Sequence, residues 1–165
     1  MEEETKVIEK TQEKSDIEKK ELGLKWFKFL IYFALWVGAI LNFCNGIRYL
    51  TGNIYLSQNL TPNKVYRTFP ELKGLDGFIG VVSCCLGVFQ IITRFCLAKY
   101  KKYSPAMLYG MYVIMMIINL IYGTSASSIM ETNMSGEIVG EIVGSLIVLI
   151  INVVYFKNRK HLFIN

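Results

Sequence analysis

Histidine is almost missing from this 165-residue chain: His161, near the C-terminal end, is the only one. Cysteine is sparse and unpaired. Cys44, Cys84, Cys85 and Cys96 all fall in long apolar segments, and none belongs to a C-x-x-C motif. Zinc and haem sites need His and Cys clustered at ligand spacing. Disulfide frameworks and thioredoxin-like sites need paired cysteines. The four cysteines therefore read as small apolar residues in helix interfaces. A nucleophile–base pair and a phosphate-cradling glycine loop are also lacking, so no enzyme chemistry, cofactor or metal is expected. No cleavable signal is expected either, because the first apolar segment is too long and no small-x-small site follows it. Leu41-Asn42-Phe43 before Cys44 lacks the small residues that precede a lipidated cysteine.

What the chain has instead is long apolar runs. It is 53% hydrophobic, with a mean hydropathy of +0.37. The apolar residues gather in four blocks, 27–47, 77–98, 106–126 and 138–156. Each reaches the ~20 residues a helix needs to cross about 30 Å of hydrocarbon, and none has the polar face of a soluble core helix. The expectation is an all-α polytopic membrane protein, an antiparallel bundle of four transmembrane helices over residues 26–156. Residues 1–25 and 157–165 flank it as charged tails.

The net charge of +5 is unevenly placed. Seven lysines lie in residues 1–28; Arg94, Lys99, Lys101 and Lys102 mark the link between the second and third spans; Lys157, Arg159 and Lys160 lie in the tail. The first external loop holds Arg48, Lys64, Arg67 and Lys73, and the loop at about 127–137 holds no Lys or Arg. Cytoplasmic flanks collect Lys and Arg, so both termini are expected in the cytoplasm and the spans in the plasma membrane. Orientation accounts for the basic excess without nucleic acid. The N-terminal tail alternates acid and base, with eight acidic and six basic residues before Trp26. It is expected to be solvated, disordered or loosely helical.

Each span has a distinguishable face. In the first, Trp26, Phe29, Phe33, Trp36 and Phe43 form an aromatic side expected to meet lipid, opposite Gly38, Asn42 and Asn45. In the second, Asp76, Gly80, Ser83, Gly87, Gln90 and Arg94 follow a 4-3-4-3-4 spacing, one continuous helix face; Arg94 is expected to snorkel to the interface. The third repeats the rhythm through Tyr112, Met116, Asn119, Gly123 and Ala126. In the fourth, Gly136, Gly140 and Gly144 form stacked G-x-x-x-G units, a pattern for close helix approach. Glu137 and Glu141 flank that stripe. Between the breakers at Pro62 and Pro70, residues 63–69 are expected to form a short interfacial helix, with Tyr66 and Phe69 dipping toward lipid.

With the termini inside, the second and fourth spans run the same way, and their glycine-rich halves share a depth. A contact between them is one solution; a dimer of fourth spans is the other. Asn42, Asn45 and Asn119 lie toward the outer ends of their spans, and Glu141 sits roughly 6 Å below the outer boundary. A carboxylate inside an apolar span is a functional-site hypothesis by default. Two readings stay open. In one, Glu137 and Glu141 reach water or pair with Arg48, and the asparagines fix helix packing. In the other, Asn42, Asn45, Asn119 and Glu141 line a cavity open to the outside, where Glu141 binds a cation or carries a proton.

The stretches at 25–33, 42–46 and 155–163 resemble parts of small bacterial four-helix membrane proteins with no assigned activity. That resemblance implies the four-helix fold and transfers no site residue. Some of those proteins carry a zinc ribbon before the first helix, and residues 1–25 here have no cysteine. The function expected is therefore non-enzymatic: an interaction, accessory or oligomeric membrane component, partnered by lipid and by a second copy or another membrane protein. The alternative is a small ion- or proton-coupled carrier that uses Glu141.

Overall fold

The computed structural model describes residues 23–131 and 135–163. The expected state of the N-terminal tail before Gly23 and the role of the Glu137 side chain lie outside what it describes. The described chain is almost entirely helical, with no strand among the described residues. Lys25–Thr51 is one continuous helix, α1, followed by a 3-10 turn at Asn53–Gln58. The short helix α2 spans Pro62–Thr68, α3 spans Pro70–Ala98, α4 spans Ser104–Met130 and α5 spans Ser135–Lys157. Proline at the first turn of α2, α3 and α4 supplies the helical φ where no amide donor is needed. Gly52 ends α1 at φ 71°, and its amide bonds Tyr49 O at 3.1 Å, a left-handed cap suited to glycine.

α1, α3, α4 and α5 are long and apolar enough to cross a membrane, α5 over Ile138–Lys157. α3 has 29 residues, about 43 Å of helix, and outreaches the hydrocarbon. Its start at Pro70 rather than residue 77 reflects an amphipathic first stretch. Leu72, Asp76 and Ile79 are buried on one side while Glu71 and Lys73 are exposed, a pattern that hydropathy alone dilutes.

The two ends of the bundle differ. At the terminal end, a box of rings joins both chain ends to the α3–α4 link. Phe27 stacks on Tyr100 with centroids 5.1 Å apart, and Phe163 meets Phe27, Tyr100 and Phe156 at 5.9, 5.8 and 5.4 Å. Arg159 closes it, donating to Gly23 O at 3.1 Å and lying over the Tyr155 ring at 3.8 Å. At the loop end lie the connection 52–69, the end of α4 and the start of α5.

The most extensive packing is between α1 and α3, and α4 packs on both α3 and α5. Between α1 and α3 the backbones touch. A Cβ on Gly46 would stand 2.9 Å from Gly80 O, and one on Gly80 would stand 2.9 Å from Gly46 O. Gly87 lies beneath the Phe43 ring, at 3.0 Å from an added Cβ, and Gly38 lies beneath Gln90. Phe43 therefore turns into the bundle instead of out to lipid with Phe29, Phe33 and Trp36. Trp26 also leaves the lipid face: its Nε1–H donates to the buried Asn152 Oδ1 at 3.3 Å. On α4, Gly123 sits against Ile138 of α5.

Two further expectations change. The second-span glycines pack on α1, not on the fourth span. Among the described residues, nothing lies within 4 Å of a Cβ added at Gly136, Gly140 or Gly144. The inward polar residues do not all gather at one depth either, since Asn152 pairs with Trp26 near the terminal end. Arg94 is tied to α1. Leu30–Ala34 forms a π-helical turn, which leaves a backbone carbonyl short of its usual partner. Arg94 Nε donates to Ile31 O at 3.4 Å, and the guanidinium lies 5.2 Å over the Trp36 ring and 4.8 Å over Phe95.

Candidate functional site

Between the loop-end halves of α1, α3, α4 and α5 lies a cavity of about 340 Å³. Asn42 and Asn45 reach it from α1, Ser83 from α3, Asn119 from α4 and Glu141 from α5. The two faces that carry a 4-3 rhythm and the two that carry isolated polar residues meet there. Tyr49, Tyr55 and Tyr122 add hydroxyls, and Ile79, Leu86, Met115 and Ile118 supply apolar wall. Asn42 is anchored by its Nδ2–H, which donates to Gln90 Oε1 at 2.8 Å. Asn45 and Glu141 are exposed, Asn119 half-buried. Gly80 and Gly87 lie behind the cavity in the α1–α3 seam, whereas Gly136, Gly140 and Gly144 do not line it.

The charge of this site is one-signed. Glu141 is the one ionic residue lining it, and no Lys, Arg or His is among the described lining residues. Amides and hydroxyls can donate or accept, so they solvate a guest of either polarity. The carboxylate decides the preference, toward a cation or a cation-bearing group.

A second acid lies behind the cavity wall. Asp76 is fully buried. Tyr55 donates its hydroxyl to Asp76 Oδ2 at 2.7 Å, and Tyr66 donates to the same oxygen at 3.0 Å. Among the described residues, Asp76 Oδ1 has no hydrogen-bond partner, an exception among buried polar atoms that calls for a reason. Tyr55 and Tyr66 meet edge to face at 5.8 Å, and Tyr49 and Tyr122 do so at 5.1 Å. Burial raises the Tyr55 hydroxyl above its ordinary range, with the Asp76 hydrogen bond adding to it. The same causes, in the same order, push Tyr66 up to about 12. Both hydroxyls therefore stay protonated as donors. Tyr66 serves this acid and does not dip toward lipid, and Phe69 packs beside Tyr55, Val65 and Leu72. Tyr55 both lines the cavity and bonds Asp76 with its hydroxyl.

Periodicity marked Asp76 as part of the α3 seam but did not name its partners. The available signal was two tyrosines, Tyr55 and Tyr66, in the loop leading to a carboxylate near the start of an apolar helix. Among the described residues, no three His, Cys, Asp or Glu side chains converge as metal ligands would.

No protein-family model, curated protein or solved structure matches the chain.

Proposed function

We propose that this chain is a non-enzymatic, multi-pass plasma-membrane protein, both termini cytoplasmic, that takes a small cation or amine-bearing solute into the Glu141 cavity from the outer side. The supporting observation is convergence. Asn42, Asn45, Asn119 and Glu141, spread over three helices, line one cavity whose described lining residues include one carboxylate, Glu141, and no Lys, Arg or His. A cavity of this size suits a guest at the small end of the ligand range. Its position between packed helices at one end fits a carrier that loads from one face. Glu141 is the ionic anchor, Asn119 and Asn45 the polar lining, and Tyr55 the connection to Asp76.

The test is binding to the purified protein in lipid nanodiscs, using monovalent cations and a graded series of alkylammonium ions as probes. Wild type is expected to bind at least one probe, with affinity falling as the ion outgrows the cavity. Glu141→Gln is expected to abolish binding while thermal unfolding is unchanged. Equal binding by the Glu141→Gln protein would overturn the reading.

A second reading draws on the open face of α5. Gly136, Gly140 and Gly144 have no described residue against them, and Val139, Val143, Leu146, Ile147 and Ile150 are exposed around them. Such a stripe supports an oligomeric or accessory role, with a second copy or another membrane protein seated on α5. Cross-linking in native membranes tests it: Gly140→Leu is expected to remove a cross-linked species that wild type forms. Loss of assembly without loss of cation binding would make the two roles separable.

A further inference from the structure

A second, larger cavity lies at the opposite end. It occupies about 570 Å³ between the start of α4 and the end of α5. Its floor is aromatic and aliphatic, with Tyr109, Phe156 and Phe163 below and Pro105, Ala106 and Val153 at the sides. Its rim is basic, carrying Lys102, Lys157 and Lys160. All three lysines are exposed, and no acidic residue is among the described lining residues. The nearby Arg159 is committed elsewhere, to Gly23 O and the Tyr155 ring.

Depth decides what such a groove can hold. Lys157 is the last residue of the α5 span, and Lys102 lies just before α4 begins at Ser104. The rim is therefore at the level of lipid phosphates, and the floor runs into the hydrocarbon along the outward-facing Val153. A soluble anion would find its charge matched by the rim, but would gain nothing from Tyr109 and Phe156. A neutral lipid would use the floor and leave three ammonium groups unmatched. A phospholipid with net negative charge satisfies both parts, and basic pockets between membrane helices are suited to such headgroups.

We propose that the groove between α4 and α5 is a binding site for an anionic phospholipid, its headgroup held by Lys102, Lys157 and Lys160 and an acyl chain lying over Tyr109, Val153 and Phe156. The cavity takes the glycerophosphate and the upper part of one chain; the remainder stays in the leaflet on the terminal side. This site is independent of the Glu141 cavity.

The experiment is native mass spectrometry of the protein released from nanodiscs of phosphatidylcholine mixed with phosphatidylglycerol, with retained lipids counted. A lysine near an anionic headgroup contributes about a fivefold factor, and three contribute on the order of a hundredfold. Wild type is expected to retain phosphatidylglycerol over phosphatidylcholine by that order. Lys102→Gln alone should lower the preference about fivefold. The triple Lys102→Gln, Lys157→Gln, Lys160→Gln protein should lose it. Should the triple variant fail to fold, Ala106→Trp, which fills the groove and keeps every charge, is expected to remove lipid retention. Equal retention of both lipids would reduce the groove to an apolar contact and overturn the proposal. So would displacement of the bound species by millimolar glycerol phosphate, which would mark a soluble-anion site, or an unchanged preference in both variants.

Discussion

Replacing Gly46 with alanine tests the backbone-to-backbone contact between α1 and α3. The added Cβ would stand 2.9 Å from the carbonyl oxygen of Gly80 and 3.2 Å from the Cys84 amide nitrogen. Both are backbone atoms and cannot rotate away. Ordinary contact begins near 3.4 Å, so α1 and α3 must part by about half an ångström here. A gap of that size forfeits about a quarter of the dispersion energy of each contact it opens. Overpacking of this kind costs about 1–3 kcal/mol, and a backbone clash belongs in the upper half of that range. Alanine also returns about 0.5–1 kcal/mol of helix propensity. The net expectation is a loss of about 1–2.5 kcal/mol. Gly110 on α4 is the control, because nothing lies within 4 Å of a Cβ added there; Gly110→Ala should therefore be neutral or stabilising. Reversible unfolding in mixed micelles, with both variants beside wild type, reads the difference. If Gly46→Ala matches Gly110→Ala, or exceeds wild type, the α1–α3 seam is not as close as described.

Other consequences can be checked in the same assay. The Asn42–Gln90 hydrogen bond should give a double-mutant coupling of about 0.6–1.7 kcal/mol; a coupling of zero for Asn42→Leu with Gln90→Leu would mean the pair is not formed in the membrane. Trp26→Phe strands the buried Asn152 oxygen and should cost about 1–3 kcal/mol, while adding Asn152→Leu should recover part of that, since replacing both partners by apolar groups can be nearly neutral. Tyr66 has an ordinary value of 10.0 and is held up to about 12. The unfolded chain thus releases this proton first, and the Tyr66 contribution to stability, fully present below pH 10, is lost as pH rises toward 12. Wild type should lose stability over that window more steeply than Tyr66→Phe; parallel profiles would contradict the Tyr66–Asp76 contact.

The four spans were legible because 20 apolar residues have few other fates, and the α3 face was legible because a 4-3 rhythm maps directly onto a helix side. The same logic brought Asn42, Asn45, Asn119 and Glu141 to one cavity. A face does not name its partner. Gly80 and Gly87 met α1 rather than the fourth span, because the Gly46 backbone fits against Gly80 more closely than any side chain would. Trp26 looked like an interface aromatic, yet its indole N–H found Asn152, 126 residues away. The Asp76 site was hidden for a related reason. One partner, Tyr55, sits on a 3-10 turn with no periodicity of its own, and the amphipathic start of α3 that holds Asp76 falls below a hydropathy threshold.

The most direct measurement on the central claim is labelling of Glu141 in nanodiscs by two carbodiimides, one water-soluble with an added amine and one hydrophobic, each read by mass spectrometry with and without the best-binding cation. If Glu141 lines a watered cavity that takes a cation, the water-soluble reagent modifies it and the cation protects it. Modification by the hydrophobic reagent alone, with no protection by the cation, would place Glu141 against lipid and contradict the account.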